Sequence, residues 1–169
     1  MLNLIIFISI AALLRISPHP WNFTPILSIA LLTGAYFKNK LSFLIPFSII
    51  ILSDLYIGNF NMAFWVYISY LLIYIVGKTF ISNISYKNVF FSSLIGSLIF
   101  FVITNFGTWL IGYPKTISGF ISCFTLALPF YKNTLLSSMF YSSILFVIYE
   151  SYLLFNIRFI KKQKIFFDK

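Results

Sequence analysis

Charged side chains are scarce in this sequence. Aspartate and glutamate together number three, and charged residues make up 9% of the 169 positions, whereas 60% are hydrophobic. A chain with so few polar groups cannot build the water-compatible surface of a soluble domain, so that class is excluded. The composition predicts an integral membrane protein whose main partner is the lipid bilayer.

Metal-ligating and catalytic side chains are equally few. One cysteine and one histidine exclude an internal disulfide framework and a dedicated zinc or haem site. The stretch Gly77–Thr79 imitates the end of a phosphate-binding loop, but Leu72 stands where that motif requires its first glycine. Asp54 and Glu150 fall in opposite leaflets of the predicted bundle, so they form no paired-carboxylate site. We therefore predict no enzyme activity and no cofactor.

Long apolar runs are what the sequence has instead. They predict six transmembrane helices, at residues 2–16, 23–37, 41–58, 62–77, 89–112 and 134–155. Gly119 and Pro129 interrupt the segment 115–132, which is predicted to be a short re-entrant or interfacial helix. The expected fold is an all-α polytopic membrane bundle over residues 1–157, with a basic cytoplasmic tail at 158–169.

The basic residues predict the orientation. Their net charge of +9 does not indicate nucleic-acid binding, because they lie at helix ends and in the tail. With a cytoplasmic N-terminus, the outer side receives only Arg15, Lys115 and Lys132. The inner side receives Lys38, Lys40, Lys78, Lys87, Arg158, Lys161, Lys162, Lys164 and Lys169. This bias predicts that both termini are cytoplasmic.

Unusual polar residues converge on the predicted outer end and suggest a ligand site there. The turn between the first two spans contains Arg15, His19, Trp21 and Asn22, and it ends at Thr24-Pro25, a predicted helix N-cap. Further candidates in the later spans and loops are Asp54, Asn105, Trp109 and Lys115. An ionisable residue within a span marks a functional site by default, which makes Asp54 the foremost candidate.

Each candidate also has a structural interpretation. Asp54 could simply pair with Arg15, His19 could stabilise its turn, and Asn105 could bridge two helices. Glu150, near the cytoplasmic end of the last span, is expected to pair with a basic residue or reach the inner interface. Ala30 and Gly34 offer a small-residue face to a partner, or ordinary packing inside the bundle.

Several segments resemble a bacterial family of small multi-pass membrane proteins, the domain of unknown function 6580. These are P-H-P-W-N-F-T-P at 18–25, L-S-D-L-Y-I-G at 52–58, T-N-F-G-T-W-L at 104–110 and L-P-F-Y-K-N-T-L at 128–135. The resemblance implies a bacterial inner-membrane protein without an established activity. The family pattern has Gly-Asp where this chain has Ser137-Ser138, so a second outer carboxylate is missing.

The architecture is also similar to the substrate-binding S components of energy-coupling factor vitamin transporters. That similarity implies a transport subunit that binds a vitamin-like solute from outside and works with an energising ATPase and its membrane subunit. The alternative from another class is a structural or morphogenetic scaffold without a small-molecule ligand. A lipid-acting enzyme has the least support.

Overall fold

The described residues of the chain, which in this computed structural model are 2–37, 40–58 and 60–167, form helices joined by short turns. Its α-helices are α1 (Leu2–Ile16), α2 (Ile26–Tyr36), α3 (Leu44–Ile57), α4 (Ala63–Phe80), α5 (Tyr86–Gly112) and α6 (Ile117–Phe167). A short 3-10 helix, Lys40–Phe43, precedes α3. The predicted all-helical class is confirmed.

Helix α2 is the centre of the bundle. Residues 26–34 are all buried, and the helix packs against α3, α4, α5 and α6. Its sequence, ILSIALLTGAY, is apolar all round, as expected for a helix without a surface face. It begins at Ile26, and its N-cap position is Pro25 without a side-chain cap, so the predicted capping by Thr24 is wrong.

Two glycines bring α2 and α4 into backbone contact. A Cβ atom added at Gly34 would lie 2.2 Å from the Tyr74 carbonyl oxygen, and one added at Gly77 would lie 2.3 Å from the Leu31 carbonyl oxygen. Ala30 is also fully buried. The small-residue face predicted for a partner is therefore internal packing, because α4 already covers it.

Helices α5 and α6 form a long antiparallel hairpin. The Trp109 and Phe120 rings are 5.4 Å apart near the connecting loop, and Ser138 Oγ donates to the Ser93 carbonyl oxygen at 3.3 Å further along. The break predicted within 115–132 is absent, since α6 runs through Pro129 without interruption. A proline removes one backbone donor, and a neighbouring helix packed alongside lets a membrane helix tolerate that loss.

Among the described residues, three helices are long and apolar enough to cross a membrane: Ala63–Phe80, Tyr86–Gly112 and Ile117–Asn156. At 1.5 Å per residue, the 11-residue α2 extends about 16 Å, roughly half the hydrocarbon thickness. The described helices therefore support membrane insertion, while the full count of six spans stays a prediction.

Serine side chains connect the central helix to α6. Ser28 Oγ donates to the Ser138 carbonyl oxygen at 3.0 Å and accepts from Ser142 Oγ at 2.9 Å. All three serines are buried. Small hydroxyl residues let helices approach closely and bond across their interface, which fixes α2 against α6.

Candidate functional site

A recess lies at the end of the bundle that holds the 17–25 turn. The turn packs against α6 well beyond the first residue of that helix, because Asn133 Nδ2 donates to the Trp21 carbonyl oxygen at 3.1 Å and Ser137 Oγ donates to that of Asn22 at 3.3 Å. Ser137 is about 30 Å along α6 from its first residue, at 1.5 Å per residue. The short α2 thus leaves a space above its start that the longer helices enclose.

This space, the turn recess, has a volume of about 230 Å³. The turn contributes Asn22, and the longer helices α5 and α6 contribute most of the wall. Its lining consists of Asn22, Met62, Val66, Phe100, Phe101, Thr104, Asn105, Thr108, Ala127, Phe130, Tyr131 and Thr134. Two of the predicted site residues, Asn22 and Asn105, therefore meet here.

Three residues of the turn recess have side-chain polar atoms without a hydrogen-bond partner among the described residues. Asn105 uses Nδ2 to donate to the Phe101 carbonyl oxygen at 2.7 Å, which leaves its amide oxygen unbonded among the described residues. The Asn22 side chain and the Tyr131 hydroxyl likewise carry no hydrogen bond within that part of the chain. These groups can donate to and accept from a bound molecule, while Phe100, Phe101 and Phe130 supply apolar contact.

Asn22 has an unusual backbone. Its φ of 63° lies in the left-handed region, where asparagine is tolerated better than most residues. The conformation turns the chain sharply just before α2 and presents the Asn22 carbonyl to Ser137. Asn22 therefore shapes the turn with its backbone and is also part of the recess lining.

Asp54 belongs to a separate cluster, the ion-pair cluster, with Arg15, Ser53 and Tyr67. Arg15 Nη1 lies 2.6 Å from Asp54 Oδ1 and donates to Ser53 Oγ at 2.5 Å. Tyr67 donates its hydroxyl hydrogen to Asp54 Oδ2 at 3.1 Å. Asp54 is 4% exposed and does not line the turn recess. Each carboxylate oxygen has a partner, so the cluster joins α1, α3 and α4.

Trp109 and Lys115 close the end of α5. Lys115 Nζ donates to the Trp109 carbonyl oxygen at 2.8 Å and to that of Leu110, and it lies 5.4 Å from the Trp109 ring centre. Trp109 Nε1 donates to the Pro114 carbonyl oxygen at 3.1 Å. A lysine bonded to the last carbonyls of a helix satisfies groups that the helix cannot. Neither residue lines the turn recess.

His19 and Trp21 lie in the turn outside the recess. The His19 nitrogens face the carbonyl oxygens of Pro20 at 2.8 Å and Arg15 at 2.9 Å, so the ring links the turn to the end of α1. Trp21 is 76% exposed. Neither contributes to the lining.

Sequence reasoning missed the contribution of α6. Tyr131, Thr134, Phe130 and Ala127 line the recess, yet they fall within or beside the segment expected to be broken at Pro129. Continuing the helix through Pro129 would have placed Ala127, Tyr131 and Thr134 on one face, because residues three and four apart are neighbours.

The described residues contain no group of three His, Cys, Asp or Glu side chains that could hold a metal ion. The polar atoms of the turn recess are amide, hydroxyl and carbonyl groups. Such an arrangement can bind and orient a neutral molecule by hydrogen bonds.

Comparisons with known proteins give one result. No curated protein and no solved structure matches the chain. The similarity to vitamin-transporter S components therefore stays a prediction. The model of a family described as of unknown function, DUF6580, matches residues 1–159. Because this match covers nearly the whole sequence, the chain belongs to the DUF6580 family.

Proposed function

We propose that this protein is the solute-binding subunit of a membrane transporter and that its ligand binds in the turn recess. The observation that carries the proposal is the set of unbonded polar groups on Asn22, Asn105 and Tyr131 around one 230 Å³ space. The positive-inside bias of the sequence predicts that this end faces outward.

The lining indicates the chemistry of the solute. Its residues carry no charged side chain, so a neutral molecule fits better than an ion. The volume lies below the 300–1,000 Å³ range of drug-sized ligands, so the solute is correspondingly small. Aromatic walls with amide and hydroxyl groups favour a planar, hydrogen-bonding compound, such as a vitamin-like ring.

The proposal also includes an energising partner. The sequence has no phosphate-binding loop, so ATP hydrolysis has to be supplied by another subunit. Such a partner has to contact the lipid-facing surface, because Ala30 and Gly34 are buried. Mild-detergent pull-down followed by mass spectrometry tests this point. Recovery of an ATPase or its membrane subunit supports it, whereas recovery of cell-wall proteins alone favours a scaffold.

A matched pair of α6 variants tests the recess itself. Ala127 lines the recess, and its neighbour Leu128 is exposed and does not. Purified protein is screened by thermal shift against small neutral vitamins and related heterocycles. A ligand at one hundred times its Kd stabilises the fold by about 2.7 kcal/mol, which is readily measured.

The expected result is that Ala127→Trp abolishes the ligand-induced shift because the indole fills the recess, while Leu128→Trp retains it. A ligand whose shift survives in Ala127→Trp binds elsewhere and refutes the assignment. Absence of any shift across the screen, together with recovery of cell-wall proteins, supports the scaffold alternative.

A further inference from the structure

A larger cavity lies at the opposite end of the bundle, between the start of α5 and the second half of α6. Its volume is about 710 Å³, and most of its wall is apolar, with Phe90, Phe91, Phe146, Val147 and Leu154. We call it the tail-end groove. It shares no lining residue with the turn recess and plays no part in the proposed solute binding.

A carboxylate lines this apolar groove. Glu150 is partly buried, and Oε1 accepts a hydrogen bond from the Tyr36 hydroxyl at 2.5 Å. Among the described side chains, Glu150 has no basic partner, since the ion pair found there joins Arg15 and Asp54. The predicted basic partner of Glu150 is thus absent among the described side chains. The side chain of Arg158 is not one of those described. A carboxylate within a span and beside a cavity is expected to bind something.

Groups suited to an anion lie in the wall of the same cavity. Ser85 caps α5 by accepting from the Asn88 backbone N–H at 3.2 Å, and the following residues, Tyr86 and Lys87, line the groove. The side chain of Lys87 is exposed and has no ion pair among the described residues. A lysine at the start of a helix, where backbone N–H groups point outward, is suited to bind a phosphate.

One chemical class of membrane molecule is complementary to a carboxylate, phosphate-binding groups and an apolar wall in the same cavity. We infer that the tail-end groove binds a phospholipid with a primary-amine headgroup, of the phosphatidylethanolamine class, from the cytoplasmic leaflet. Its ammonium contacts Glu150, its phosphate contacts Lys87 and the start of α5, and its acyl chain lies along the aromatic wall. Each end of the headgroup therefore meets a side chain of opposite charge. A purely apolar occupant would have no use for these charged side chains.

The experiment compares two lipids with identical acyl chains. Full-length protein is purified in detergent, depleted of lipid and titrated with phosphatidylethanolamine or phosphatidylcholine, and bound lipid is counted by native mass spectrometry. Trimethylation removes the N–H donors of the amine and leaves the phosphate unchanged. The expected preference for phosphatidylethanolamine is about tenfold, the size of one charge-assisted hydrogen bond.

Two variants separate the ends of the headgroup. Glu150→Gln is expected to remove most of the preference between the lipids, whereas Lys87→Met weakens both lipids equally. A second, matched pair tests the cavity: Val147→Trp fills the groove and prevents binding, while Ile148→Trp, on the adjacent lipid-facing residue, does not. If Glu150→Gln fails to fold, this pair of variants still tests whether the lipid binds in the tail-end groove.

Equal binding of the two lipids by the wild type overturns the inference, and so does a preference that survives Glu150→Gln. Undiminished binding to Val147→Trp also overturns it. A lipid-free dimer that Val147→Trp dissociates identifies a second copy as the occupant instead. Failure of this test leaves the turn recess untouched, because the two cavities have no residue in common.

Discussion

The ion-pair cluster and the turn recess lie on two sides of α4, and they differ in whether their polar atoms have hydrogen-bond partners. On α4, Tyr67 bonds to Asp54, while the neighbouring Val66 lines the recess. In the cluster, both Asp54 oxygens have partners. In the recess, Asn22, Asn105 and Tyr131 retain unbonded polar atoms among the described residues. The buried Asp54 carboxylate would be costly without its partners, whereas the open recess is lined by neutral amide and hydroxyl groups.

The largest effect that tests this difference is on stability. Asp54→Asn is expected to lower the free energy of unfolding by about 3–5 kcal/mol, because Arg15 is left charged and largely buried. Thermal or denaturant unfolding in detergent measures it. Arg15→Met/Asp54→Asn is the control, and it should recover part of the loss. Full stability in the single variant would contradict a structural role for the pair.

Substitutions in the recess are expected to change ligand affinity more than stability. Asn105→Ala should weaken a ligand found by thermal-shift screening about tenfold, equivalent to about 1.4 kcal/mol. Its effect on unfolding should stay near the roughly 0.6 kcal/mol typical of a side-chain hydrogen bond in a membrane helix. Titration of the ligand against both proteins measures the difference. Tyr131→Phe is likewise expected to weaken the ligand, and Tyr141→Phe is its matched control, since Tyr141 lies on the same helix outside the recess.

The smallest expected effect concerns the end of α5. Lys115→Met removes a cation from the last carbonyls of the helix and should lower stability by about 0.3–1 kcal/mol. Ligand affinity should not change, because Lys115 does not line the recess. Unfolding and titration on one preparation measure both quantities. A large loss of affinity would place Lys115 in the site after all.

Local signals in the sequence predict much of the helical order. The fifth span was predicted to end at Gly112 before Tyr113-Pro114, and α5 ends there. The apolar composition of α2 predicted a helix without identifying it as the centre, because a uniformly apolar helix is compatible with lipid or with a protein core. The predicted break at Pro129 is wrong, because packing against α5 supports the helix there. No local signal in the sequence encodes that packing.

The candidate site was predicted only in part, for a related reason. Asn22 and Asn105 do meet in one recess, but Asp54, the strongest signal, is paired with Arg15. Depth along a helix fixes the level of a side chain and does not fix its direction. Asp54 and Asn105 were placed at one end of the bundle, yet only contacts between helices decide which neighbour each side chain faces.

The position of α2 in the chain has a consequence for how the protein is made. This helix is synthesised second, yet its buried surface is completed by α4 and α6, which leave the ribosome later. Alone, it is about 16 Å long and too short to cross the hydrocarbon unaided. Stable integration of the N-terminal third therefore awaits the last helix, and chains truncated before α6 should be substrates for membrane proteases.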